Sequence, residues 1–103
     1  MAKWIRAVAE SDFNGNVAVI EHDGERIAIF KLEDGYYAID DECSHAHAYL
    51  SEGELLDHMV ACPRHGARFD VRTGKNLTLP AVRPVKSYPV KVEAGVLYVE
   101  VDE

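Results

Sequence analysis

The chain has 103 residues, of which 48% are hydrophobic, and its formal net charge at pH 7 is −7. This length is typical of one globular domain, so we expect a single soluble domain over residues 1–103. The negative charge argues against nucleic acid and anionic membranes as partners, because both attract basic surfaces. The N-terminal segment lacks the apolar stretch of a signal peptide or membrane anchor, which predicts a cytoplasmic location.

Short runs of β-forming residues alternate with turn signals along the chain. They predict strands at 17–21, 27–32, 36–39, 58–61, 68–71, 85–92 and 96–101. The helical candidate is 49–56, where Ser51-Glu52-Gly53 is as much a loop signal as a helix cap. Many short strands at regular spacing predict an all-β fold, either an antiparallel sandwich or a small barrel.

Two cysteines and two histidines fall in predicted loops after strands. The pattern is Cys43-x-His45, sixteen intervening residues, and then Cys62-x-x-His65. Cysteines in a reducing cytosol are more often metal ligands or free thiols than disulfide partners. Each loop offers a thiolate and an imidazole, so the residues alone allow an iron–sulfur cluster, a structural zinc site, or unrelated thiols beside surface histidines.

The ligand pattern and its flanking segments resemble the Rieske family. The matching stretches are Leu50-Ser51-Glu52-Gly53, His65-Gly66-Ala67-Arg68-Phe69-Asp70, Thr73-Gly74 and Leu79-Pro80-Ala81-Val82-Arg83-Pro84. The resemblance implies one [2Fe-2S] cluster, with Cys43 and Cys62 on the inner iron and His45 and His65 on the outer iron. A structural zinc site is disfavoured because Cys43 and His45 are separated by one residue, whereas zinc ligand pairs usually have two to four between them.

The resemblance also implies the architecture of the domain. We expect a Rieske-like antiparallel β-sandwich in which a small cluster-binding subdomain, about 41–82, is inserted into a β base of about 1–40 and 83–103. The segment 79–84 corresponds to the proline-containing loop that covers the cluster in this family.

Departures from other Rieske proteins narrow the predicted function. Respiratory members carry a disulfide where this chain has Ala48 and Arg64, and hydroxyl donors to the cluster where it has Ala67 and Phe69. At this length we expect no mononuclear-iron domain, and the glycines form no nucleotide-binding signature. We therefore expect a non-enzymatic ferredoxin of aromatic hydrocarbon catabolism, which passes single electrons from a flavin NAD(P)H reductase to a terminal non-haem iron oxygenase.

Alternatives remain at this point, and the docking face is a separate prediction. The chain could be a small Rieske subunit or accessory protein of another redox system, such as a nitrite-reductase-like system or cluster assembly. For a ferredoxin, partners should dock transiently near His45 and His65. The predicted docking patch contains Ala46, Pro63, Ala67 and Pro80, with Arg64 and Arg83 as the nearest charges. His47 is predicted to be an exposed loop residue and not a ligand.

Overall fold

The computed structural model describes residues 2–13, 15–44, 47–64, 66–79 and 83–102. Within these ranges the chain is almost entirely β-structure. In chain order the strands are β1 (Ala2–Ala9), β2 (Val17–His22), β3 (Glu25–Leu32), β4 (Gly35–Asp40), β5 (Leu55–Leu56), β6 (Met59–Ala61), β7 (Arg68–Asp70), β8 (Ser87–Tyr88), β9 (Val90–Glu93) and β10 (Val96–Asp102). Two short 3-10 turns lie at Glu10–Asp12 and Leu50–Glu52. The predicted all-β class is confirmed.

The strands form three antiparallel sheets. Their orders are β1-β10-β9, β2-β3-β4-β8 and β5-β6-β7. In the sequence, the strands of the small third sheet lie between β4 and β8, which pair with each other. The strands β5, β6 and β7 therefore all fall within the predicted 41–82 subdomain, whose boundaries stay a prediction.

Strand β3 separates two hydrophobic cores because its side chains alternate between its two faces. Ala28 and Phe30 face what we call the loop core, and Ile27 and Ile29 face the base core. The loop core consists of Ala28, Phe30, Ile39, Cys43, Leu50, Val60, Cys62, Ala67, Phe69, Val71 and Val85. The base core consists of Ile27, Ile29, Ala38, Tyr88, Leu97, Val99 and Val101.

Two segments differ from their prediction. The predicted strand 85–92 is divided at Pro89, where the chain leaves β4 and joins β10. Proline cannot donate a backbone hydrogen bond, so the ladder breaks there, although its carbonyl still accepts from the amide of Glu100 at 3.0 Å. The candidate helix at 49–56 is instead the 3-10 turn Leu50–Glu52 followed by β5. In the described ranges, no helix has the length and apolar character needed to cross a lipid bilayer.

Candidate metal centre

The two predicted cysteine ligands lie in the same core. Cys43 follows β4 and Cys62 directly follows β6, and both belong to the loop core. Their exposed fractions are 5% and 1%, and neither is in a disulfide bond. The other predicted ligands, His45 and His65, lie outside the described residues. The complete set of four ligands therefore stays a prediction.

The first ligand loop, residues 42–49, is closed by backbone hydrogen bonds near Cys43. The amide of Cys43 donates to the carbonyl of Ala48 at 2.9 Å. One residue further out, Glu42 and Tyr49 form an isolated antiparallel bridge. These contacts hold the beginning and the end of the loop side by side, so the backbone at Cys43 is fixed by contacts within the loop.

The second ligand loop connects two paired strands. Ala61 of β6 is paired with Arg68 of β7, and the chain between them turns back at once. The amide of Cys62 donates to the carbonyl of Ala67 at 2.7 Å, and the amide of Gly66 donates to the carbonyl of Cys62 at 2.9 Å. Gly66 has a φ of +75°, which is the left-handed conformation that glycine adopts without strain. The predicted loop after β6 is confirmed at its described ends, Cys62 and Gly66.

A third segment, residues 78–83, is hydrogen-bonded at its two ends to residues in or beside the two ligand loops. The hydroxyl of Thr78 accepts from the amide of Arg68 at 2.9 Å. At the other end, the Ser44 hydroxyl donates to the carbonyl of Arg83 at 2.8 Å, and the Arg83 guanidinium donates to the carbonyl of Ser44 at 3.1 Å. Pro80, which was predicted in the docking patch, lies outside the described residues with 81 and 82. The attached ends nevertheless bring this segment next to the residue that follows Cys43.

The described donors fit part of a Rieske ligand set. Thiolates bind iron in iron–sulfur clusters, and two buried cysteines on separate loops supply them here. The chain becomes solvent-exposed immediately after Cys62, at Pro63 and Arg64. The second ligand loop thus passes from the buried Cys62 to the protein surface within one residue.

The structure corrects one predicted docking residue and supports another prediction. Ala67 has no exposed surface and packs in the loop core, so it cannot contact a docked partner. Its position directly before β7 and its bond to Cys62 turn its side chain inward. His47 is 98% exposed, with its Nδ1 3.6 Å from Glu42, in agreement with its prediction as a surface residue. Ala46, also placed in the patch, lies outside the described residues.

Sequence reasoning missed Asp41, a fully buried carboxylate two residues before Cys43. Its side chain accepts from Arg26 on β3 and from the backbone of Ser51. The hydrogen bond to Asp41 raises the pKa of Arg26 above its ordinary value. No local pattern could have revealed this pair, because its two members are far apart in the sequence and look like ordinary surface charges.

Comparison with known proteins agrees with this geometry. Residues 3–89 match the family described as the Rieske [2Fe-2S] domain. The ferredoxin component of the naphthalene 1,2-dioxygenase system of Pseudomonas putida is 44% identical over 92 residues, which cover 88% of each chain. The 3-phenylpropionate/cinnamic acid dioxygenase ferredoxin subunit of Photorhabdus laumondii is 50% identical over 78 residues, which cover 75% of this chain and 74% of the relative.

A solved structure is similar over nearly the whole fold. A chain in the complex of reduced oxygenase and oxidised ferredoxin in carbazole 1,9a-dioxygenase superimposes with a TM-score of 0.85 and 35% identity. The similarity covers 93% of this chain and 91% of that chain. The family match decides between the metal alternatives, since its defining cofactor is one [2Fe-2S] cluster and not zinc. The chain is an electron-transfer protein rather than an enzyme, and it belongs to the family of Rieske [2Fe-2S] domains.

Proposed function

We propose that this chain carries single electrons from a flavin NAD(P)H reductase to a terminal non-haem iron oxygenase that acts on aromatic compounds. The observation that carries the proposal is the pair of buried thiols, Cys43 and Cys62, in one core of a Rieske fold. Relatives with this fold are named as ferredoxin components of dioxygenase systems. We further propose a cytoplasmic location and a single domain, with about 41–82 inserted into the base.

The proposed ligands are Cys43 and Cys62 for one iron and His45 and His65 for the other. The cluster, when bound, accepts and releases one electron. The chain's own residues fix the two loops by backbone hydrogen bonds at Cys43 and Cys62 and exclude water from both thiols.

The proposed docking face surrounds the outer ligands. Pro63 and Arg64 are exposed on the second ligand loop, and Leu79 is 78% exposed on the third segment. Leu79 thus supplies apolar surface in place of the buried Ala67. Arg83 is exposed too, but it also donates to Ser44. A carrier must release its partners quickly, so we expect a small interface, below about 1,200 Å² in total.

Cofactor content tests the first part of the proposal. Purified protein should be red-brown and contain two irons and two acid-labile sulfides per chain, as expected for one [2Fe-2S] cluster. Cys43→Ser and Cys62→Ser should each lose the cluster, while His47→Ala, as a matched loop control, should keep the spectrum of the parent. Colourless protein with stoichiometric zinc would refute the assignment.

Reconstituted electron transfer tests the second part. The chain should support product formation when it replaces the ferredoxin in the naphthalene 1,2-dioxygenase system or in the carbazole 1,9a-dioxygenase system. Oxygenase reduction should depend on the concentration of the ferredoxin and disappear with the Cys43→Ser variant. An intact cluster that reduces neither oxygenase, but reduces a nitrite-reductase-like enzyme, would move the chain to the alternative small-subunit function.

A further inference from the structure

We infer that Asp41 is a positioning residue for the cluster ligand Cys43, and that Arg26 balances the charge of Asp41 at the base of the first ligand loop. The inference rests on the proposed ligand function of Cys43. It concerns an ion pair that lies at the base of the first ligand loop and contains no proposed ligand.

Every polar group of Asp41 has a partner. Its amide donates to the carbonyl of Arg26 at 2.9 Å, and its carbonyl accepts from the amide of Leu50 at 2.6 Å. In the side chain, Oδ1 accepts from the amide of Ser51 at 2.8 Å, and Oδ2 accepts from Nε of Arg26 at 2.9 Å. A buried carboxylate is tolerated only when its oxygens are satisfied in this way.

These bonds close the first ligand loop at its base. Asp41 stands just before the loop, and Leu50 and Ser51 stand just after it. Two hydrogen bonds that Asp41 accepts, one at its carbonyl and one at its carboxylate, therefore join the two ends. The contact between Cys43 and Ala48 lies directly above this closure. The carboxylate of Asp41 therefore supports the base of the loop that carries Cys43, although Asp41 is not a ligand itself.

Arg26 joins the first ligand loop to the sheet β2-β3-β4-β8. Its guanidinium carbon lies 3.9 Å from the centre of the Tyr49 ring, while Nε is bound to Asp41. Arg26 is on β3, and its side chain is 32% exposed, whereas that of Asp41 is fully buried. Arg26 thus attaches the loop to β3 on two sides, through Asp41 just before the loop and through Tyr49 at its end.

The charges of Asp41 and Arg26 should also affect the reduction potential. With both residues present, their charges largely cancel at the first ligand loop. Asp41→Asn leaves the positive charge of Arg26 unbalanced and favours the addition of an electron, whereas Arg26→Gln leaves a negative charge and disfavours it. A residue pair that only stabilised the fold would not shift the reduction potential in opposite directions.

The experiment compares the reduction potential and the EPR spectrum of the reduced, cluster-loaded protein among variants. Asp41→Asn should raise the reduction equilibrium constant at least threefold, about 28 mV for a one-electron couple, and Arg26→Gln should lower it by a similar factor. The double variant should return most of the way to the parent potential. Asp41→Asn should also alter the EPR g values and release iron to a chelator at least tenfold faster, because the base of the loop that carries Cys43 loses its ion pair with Arg26. Asp23→Asn is the matched control, since its side chain is 77% exposed, and it should change neither measurement.

Further variants keep the inference testable if Asp41→Asn fails to fold. Arg26→Lys keeps the positive charge but loses the Nε donor to Asp41, so its reduction potential should stay near that of the parent. The reduction potential of Arg26→Gln should be lower. Equal potentials for Arg26→Lys, Arg26→Gln and the parent would overturn the inference, as would shifts of the same sign for Asp41→Asn and Arg26→Gln. A parent that binds no cluster would instead overturn the proposed function, and this inference with it.

Discussion

At Gly53, addition of a single methyl group should cause large damage, because the backbone of Ala61 lies directly against it. A Cβ at residue 53 would lie 1.8 Å from the carbonyl oxygen of Ala61 and 3.3 Å from that of Leu50. Ordinary contact begins at 3.4 Å, so Gly53 and Ala61 would have to separate by about 1.6 Å. The backbone of Gly53 has a φ of −86°, which any residue can adopt. The contact, and not the conformation, excludes alanine.

The cost of Gly53→Ala can be estimated from the groups that must move. Overpacking costs about 1–3 kcal/mol, and the hydrogen bond from the amide of Ala61 to the carbonyl of Glu54, worth about 1 kcal/mol, would be strained as well. A loss of about 3 kcal/mol corresponds to a decrease in Tm of roughly 12–24 °C for a domain of this size. Because Ala61 directly precedes Cys62, the same displacement should accelerate cluster loss.

Thermal unfolding followed by circular dichroism and visible absorbance measures both effects. Gly24→Ala is the matched control, because a Cβ there meets nothing within 4 Å. Since Gly24 has a φ of +81°, alanine there should lower the free energy of unfolding by about 1–2 kcal/mol through backbone strain alone. The reasoning would be refuted if Gly53→Ala were as stable as Gly24→Ala and kept its cluster equally long.

Three further predictions address potential, docking and pH. Ala67→Ser and Phe69→Tyr, which restore hydroxyls at positions where other Rieske proteins carry donors, should each raise the reduction potential by up to about 60 mV in voltammetry, and together by more. Arg64→Glu should slow electron transfer to the oxygenase at low ionic strength, with the difference from the parent disappearing in high salt; a salt-independent rate would place the docking face elsewhere. Burial and the hydrogen bond to Asp40 raise the pKa of Tyr88, so its contribution to stability is complete below about pH 10 and is lost as the pH rises further. Denaturation of Tyr88→Phe between about pH 8 and 12 should therefore show a shallower alkaline loss of stability than that of the parent.

The strands were largely predictable because their signals are local. The hairpins β2-β3 and β9-β10 coincide with predicted runs of β-forming residues, and the turns between them coincide with Asp23-Gly24 and Ala94-Gly95. The sequence predicted β3 as a strand, but it did not indicate that a core lies on each side of it. Secondary structure of this kind depends on neighbours within a few residues, which the sequence displays directly.

The errors occurred where distant contacts decide the local structure. Residues 49–56 could have continued as a helix, but Leu50 and Ser51 donate their amides to Asp41, and Leu55 pairs with Val60. Ala67 is small and follows a glycine, so it resembled an exposed loop residue. The tertiary structure buries it, because its carbonyl is bound to Cys62 and its side chain fills the loop core.

The sequence by itself determined the chemistry of this protein, while only the tertiary structure decided how that chemistry is held. The spacing of Cys43, His45, Cys62 and His65 can be read directly from the chain, since ligand type and separation are properties of the sequence. The pairing of Asp41 with Arg26 and the close approach of Gly53 to Ala61 cannot be read in this way. The first joins residues 15 apart on different elements, and the second depends on how closely the chain before β5 approaches β6. Each requires polar groups or backbones to fit together closely, which only the folded structure decides.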